Sequence, residues 1–183
     1  MLFIWILIGI ILAVAFAFFL YYNRFAVLGN RIDNSLSQIN VQLKRRAELI
    51  PNLIETVKGF AAHEKAAINA VTEARKALMN AEGLEDKMKA DKGLESALKS
   101  IFALAEGYPD LKANTNFLEL QRELAATEDK VAYARQYYND SILNYNNLCK
   151  TFPGKMFASM FGKKPEDYLQ IEEVQKEPVK VKF

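Results

Sequence analysis

RFAVLGNRIDNSLSQINVQLKRRAELIPNLIETVKGFA, residues 24–61, decides the fold. Apolar or small residues recur at Phe25, Leu28, Ile32, Leu36, Ile39, Leu43, Ala47, Ile50, Ile54, Val57 and Ala61. The steps alternate between three and four, a mean of about 3.6, the period at which one face of an α-helix lines up. The stretch therefore predicts a long helix with one buried stripe. Pro51 removes a backbone donor and crowds the turn before it, which predicts a kink or a short break there. Past Gly59, a minor weak point, the stripe continues through Ile68, Val71 and Leu78 and dissolves near Gly83.

Working towards the N-terminus, Leu2–Leu20 holds no charged and no strongly polar residue. At ~1.5 Å per residue this run spans roughly 28 Å, the hydrocarbon thickness of a bilayer. Trp5 lies near one end and Tyr21 and Tyr22 at the other, where amphipathic rings favour the headgroup level. Lipid offers a bare backbone no hydrogen-bond partner, so the run must be helical, and the helix of 24–61 is expected to start inside the membrane. A cleaved signal peptide is the competing reading: Ala13-Val14-Ala15 and Ala15-Phe16-Ala17 resemble small-x-small cleavage sites. Against it, no basic segment precedes the apolar run, and the run continues through Phe18-Phe19-Leu20 into tyrosines. After the span come Arg24 and Arg31, then Lys44-Arg45-Arg46, against Asp33 and Glu48. Basic residues are retained on the cytoplasmic side, which places the C-terminal domain there.

Working towards the C-terminus, Leu94, Leu98, Ile101, Phe102 and Ala105 predict a second helix, from about Leu84 or Gly93 to Glu106. Gly107-Tyr108-Pro109-Asp110 is a turn signal. A third helix, from about Asn116 to Cys149, has the stripe Phe117, Leu120, Leu124, Val131, Ala134, Tyr138, Ile142 and Tyr145. Asn114, Thr115 or Asn116 can cap its start, and Phe152-Pro153-Gly154 ends it. Residues 155–161 form a short amphipathic segment, and 165–183 read as a flexible polar tail with a strand-like end at Val179–Phe183. The expected fold is all-α. A transmembrane anchor (1–22) continues into an elongated antiparallel bundle (23–150) of three long helices, the first kinked or broken near Pro51; the amphipathic segment and tail follow (151–183).

Charge is mixed: 24 Lys and Arg against 22 Asp and Glu. No segment has the basic excess that nucleic-acid binding needs. Tyr133, Arg135, Tyr137, Tyr138 and Tyr145 fall on or beside the third helix's stripe, which suits packing better than base stacking. Cys149 is the sole cysteine, so no internal disulfide forms, in keeping with a reducing compartment. His63 is the sole histidine and precedes Glu64; a zinc-protease helix would need a second histidine where Ala67 stands. No Gly-x-Ser-x-Gly turn, phosphate loop or dinucleotide fingerprint occurs. No catalytic, metal or cofactor site is assigned.

Three groups remain as candidate contact sites. Gly9, Ala13 and Ala17 share one face of the span at i, i+4 and i+8, a pattern that lets transmembrane helices approach closely. Lys44-Arg45-Arg46 is the densest basic cluster and can meet acidic lipid or a partner. On a continuous helix position 45 lies ~35 Å beyond the span, several Debye lengths of ~8 Å, so a solvated face pairing with Glu48 is the stronger reading. Met156, Phe157, Met160 and Phe161, flanked by lysines, fit an interfacial helix, and equally a segment docked on the bundle.

QINVQLKRRAELIPNLIETVKGFAAHEKAAINAVTEARKA (38–77), FALAEGYPDLKANTNFLELQRELAATEDKVAYARQYYNDSILNYN (102–146) and FPGKMFASMFGKKP (152–165) resemble the LemA family of bacterial membrane proteins. The resemblance covers residues 22–165 and extends to the anchor. Phe60 stands where the family pattern has tyrosine, and Ser35-Leu36 where it often has an alanine and an aromatic. The resemblance implies a helical bundle behind one N-terminal span, placed in the bacterial cytoplasmic membrane, with no catalytic residues to carry over. It implies fold and place more than chemistry, and it leaves a membrane-organising role open. The expected function is a non-enzymatic scaffold in the bilayer that forms a homo-oligomer and binds no nucleic acid. The alternatives are an accessory subunit of a membrane protease or signalling protein, and a hydrolase with an unrecognised site.

Overall fold

The computed structural model describes residues 2–169, and all secondary structure among them is helical. Helix α1 runs from Leu2 to Ala61 without interruption, about 90 Å at 1.5 Å per residue. Its first part, through Leu20, is exposed apart from the half-buried Ala17, and is long and apolar enough to cross a membrane, which suggests membrane anchoring. From Phe25 onward one stripe is buried, through Leu28, Ile39, Leu43, Ala47, Ile50, Leu53, Val57 and Ala61. Ile32, Leu36 and Ile54 of the expected stripe are half-buried.

The helix does not break at Pro51. The first helical stretch breaks instead at residues 62–64, and Ile68, Val71 and Leu78 belong to a separate helix α2, Lys65–Asn80. Proline at position 51 leaves the carbonyl of Ala47 without its helical donor. The Arg75 side chain, on α2, supplies one: its Nε donates to that carbonyl at 2.9 Å. The bond lost along the chain is replaced across it, so α1 stays helical.

Helix α3 spans Leu84–Ala105 and begins after Gly83, whose φ of 78° lies in the left-handed region that glycine enters without a Cβ clash. The charged stretch 84–92 is helical from its start. A short α4, Pro109–Lys112, closes the far turn, where the Tyr108 hydroxyl donates to the Glu64 carboxylate at 2.7 Å. Helix α5 spans Thr115–Lys150, and its Asn114 cap accepts from the Phe117 amide at 3.0 Å.

Bonds between helices fix their directions. Phe25 meets Tyr145 and Arg46 meets Glu128, so α5 is antiparallel to α1. Asn40 meets Lys87 and Arg46 meets Asp91, so α3 is parallel to α1. Arg75 meets Ala47, and α2 starts at the far turn, so α2 is antiparallel to it. The chain is an up-down-up-down bundle. Its main core runs from Ile39 through Leu53, Leu94, Ile101 and Phe117 to Ala134. Below it α1 and α5 continue as a pair towards the apolar N-terminal part of α1, with a second small core of Phe25, Leu28, Tyr145, Leu148, Cys149 and Ala158.

Candidate membrane-facing site

The second core is completed by α6, Gly154–Met160, folded back against the end of α5. Gly154 permits this: a Cβ there would sit 2.2 Å from the Leu148 carbonyl oxygen, a clash with backbone that cannot move aside. The Phe157 ring stacks on Tyr21 with centroids 4.5 Å apart, and Phe161 meets Phe18 edge-on at 4.7 Å. Phe161 also reaches Tyr22 and Phe25. Each such pair contributes about 0.5–1.5 kcal/mol beyond area burial. Phe18 lies inside the apolar run and Phe25 outside it, so α6 packs across the end of that run. Met156 and Met160 are 58% and 65% exposed. Of the two alternatives on sequence alone, docking on the bundle is seen for Phe157 and Phe161, while Met156 and Met160 face away from it.

The fold gathers charge at this end. Residues 21–32 and 144–164 contain Arg24, Arg31, Lys150, Lys155, Lys163 and Lys164 and no acidic residue. With a chain net charge of +2, the rest of the protein therefore carries an excess of four acids. Arg24 and Arg31 are visible beside the span in the sequence. The four lysines are distant along the chain, and only the return of α5 brings them to the same height.

Beyond α6 the chain is extended and strapped to α5. Asn146 donates to the Glu166 carbonyl at 2.8 Å and accepts from the Glu166 amide at 2.8 Å. Asn139 does the same with Leu169, at 3.2 and 3.0 Å. Two side-chain amides, two helical turns apart, thus read the backbone of an extended segment. The expected flexible tail is ordered over its described part, through residue 169; the strand-like end at Val179–Phe183 lies outside the described residues.

The basic cluster on α1 divides. Lys44 is exposed and 3.8 Å from Glu48, as a solvated face requires, and Arg45 is exposed as well. Arg46 is not on that face. It is 2% exposed, with Nη1 2.9 Å from Asp91 and Nη2 3.2 Å from Glu128. It is removed from the set of lipid or partner contacts because its helical phase points into the bundle, between α3 and α5. Burial pushes the Asp91 carboxyl above its ordinary range, and the Arg46 guanidinium pulls it partly back. Asp91 and Glu128 gave no signal in the sequence, since their partner is 45 and 82 residues away.

Gly9 and Ala13 are exposed on the apolar part of α1 and Ala17 is half-buried, with open space where a Gly9 Cβ would stand. His63 is exposed in the α1–α2 turn. Cys149 is buried, and burial pushes its thiol up. Among the described residues no group of three or more His, Cys, Asp or Glu is placed to hold a metal ion.

The LemA family model matches residues 35–183. The chain belongs to the LemA family. It is 29% identical over 156 residues to Protein LemA of Metamycoplasma hominis, covering 81% of this chain and 66% of that protein. It is 24% identical over 173 residues to Magnetosome protein MamQ of Magnetospirillum gryphiswaldense, covering 80% of this chain and 64% of the relative. This LemA-family chain spans just under two thirds of the length of these relatives.

Proposed function

We propose that this protein is a non-enzymatic scaffold of the bacterial cytoplasmic membrane that self-associates and organises the membrane or membrane-protein partners around its domain. The observation that carries this reading is the continuity of α1. One helix of 60 residues passes from the anchor to the far turn of the bundle. The bundle is therefore held at a set height and angle from the bilayer rather than tethered by a linker. The six basic residues gathered at the membrane-proximal end support a cytoplasmic domain, the side on which basic residues are retained. The buried thiol is a poor nucleophile, which favours a binding role over a catalytic one. The likeness to a magnetosome protein brings to this chain, as part of the proposal, a place in a dedicated membrane structure.

Copurification of the full chain in mild detergent tests the reading. Recovery of this chain bound to itself, without stoichiometric companions, is expected. Recovery of one chain with a single stoichiometric membrane protease or signalling protein would replace the scaffold with an accessory subunit. A reporter fused after Phe183 is expected to read as cytoplasmic; a periplasmic reading would reverse the topology.

A further inference from the structure

We propose that a cleft at the base of the domain, between α1 and the end of α5, binds the phosphate of an anionic phospholipid headgroup. The cleft has a volume of about 720 Å³, within the range of small-molecule sites. Arg24 and Arg31 line it from α1, and Asn144 and Asn147 from α5. Val27 and Leu148 give it an apolar edge.

Its position favours lipid. Arg24 is four residues past Leu20, about 6 Å beyond the hydrocarbon, within the headgroup layer of roughly 5–8 Å on each side of the bilayer. Arg31 follows two turns later on the same face, about 16 Å beyond the hydrocarbon and so outside that layer, which it approaches only through its long side chain. Side chains on a helix lean towards its N-terminus, and the N-terminus of α1 is in the membrane, so both arginines lean back to the bilayer. Neither forms an ion pair with another described residue. A guanidinium presents its donors as a fork that matches phosphate oxygens, and asparagine amides add neutral donors beside it.

One feature of the cleft works against an anion. The C-terminal end of α5 carries about half a negative charge from its dipole. Two full guanidinium charges outweigh it, and the Asn147 carbonyl is already taken by the Thr151 amide and hydroxyl. The lysines of both strips of chain add positive charge, against Asp33 and Glu166 just beyond them. The same chemistry would accept free phosphate; the apolar edge and the height at the headgroup layer favour the lipid.

Native mass spectrometry of the full chain, released from detergent carrying equal amounts of phosphatidylglycerol and phosphatidylcholine, tests the proposal. Retention of phosphatidylglycerol is expected to exceed that of phosphatidylcholine by roughly tenfold, and to fall by about the same factor in the double variant Arg24→Gln/Arg31→Gln. Both positions are exposed, and an unchanged melting temperature shows that the variant folds. The control variant Lys155→Gln/Lys164→Gln, outside the cleft, is expected to retain the lipid. Equal retention of the two lipids, or equal loss in both variants, would overturn the site. Displacement of the lipid by inorganic phosphate, with equal stabilisation of the protein in neutral lipid, would overturn the lipid assignment in favour of a free anion. The same spectra give the mass of the assembly, so failure of the lipid site and failure of self-association are read separately.

Discussion

Arg75 donates to the carbonyl of Ala47, the acceptor that Pro51 deprives of its helical donor, at 2.9 Å. A local defect in α1 is repaired by the helix packed beside it, and the repair ties α2 to α1. Truncation by Arg75→Ala leaves a part-buried carbonyl unsatisfied and is expected to cost about 1–3 kcal/mol. In a Pro51→Ala background the backbone bond returns, and the same truncation should cost less. Equilibrium denaturation of the four proteins of this cycle measures the coupling. Equal costs in both backgrounds would show that the Arg75 bond does not serve the proline.

The Arg46–Asp91 pair is buried on both sides. Asp91→Ala leaves a buried guanidinium with only the half-exposed Glu128 beside it. A loss of about 3–5 kcal/mol is expected. Replacing both members by apolar residues of similar size, Arg46→Met with Asp91→Leu, should recover most of it. Denaturant midpoints decide this; a double variant as unstable as Asp91→Ala would mean that the pair itself, not its broken half, holds α1 to α3.

These two contacts mark where the sequence stops being legible. The anchor, the stripe of α1 and the stripe of α5 are local patterns, so period and length revealed them. The accommodation of Pro51 depends on a residue 28 positions from the carbonyl it satisfies, and the burial of Arg46 on one 45 positions away. Neither partner carries a local signature. Lys44 and Arg45 show the converse: with no distant partner among the described residues, their neighbours along the helix decide their place. At the candidate site, Met156 and Phe157 were visible as an amphipathic segment, but its docking needed the glycine contact at position 154, which only the path of the chain reveals.

The strap of residues 166–169 depends on two asparagines. Asn146→Ala removes both bonds to Glu166 and is expected to release this segment while leaving the bundle intact. Limited proteolysis by trypsin should then cut after Lys163 several-fold faster, with an unchanged melting temperature of the main transition. Unaltered cleavage would show that other contacts hold the strap.

Burial raises the Cys149 thiol above its ordinary value of 9.0. The folded state therefore holds this proton more tightly than the unfolded chain, so the contribution to stability is present below that ordinary value. It is lost as pH rises through the raised one. Cys149→Ala should flatten part of the alkaline loss of stability, and the remainder belongs partly to Tyr145, raised for the same first reason. In the native protein at neutral pH, maleimide labelling of Cys149 should be far slower than in the denatured chain. Labelling at the denatured rate would contradict its place in the second core.

The scaffold reading stands most directly on the mass of the full-length protein in lipid discs, measured by light scattering. The account predicts a defined homo-oligomer, several times the 20.8 kDa of one chain. A clean monomer across protein concentrations would contradict it.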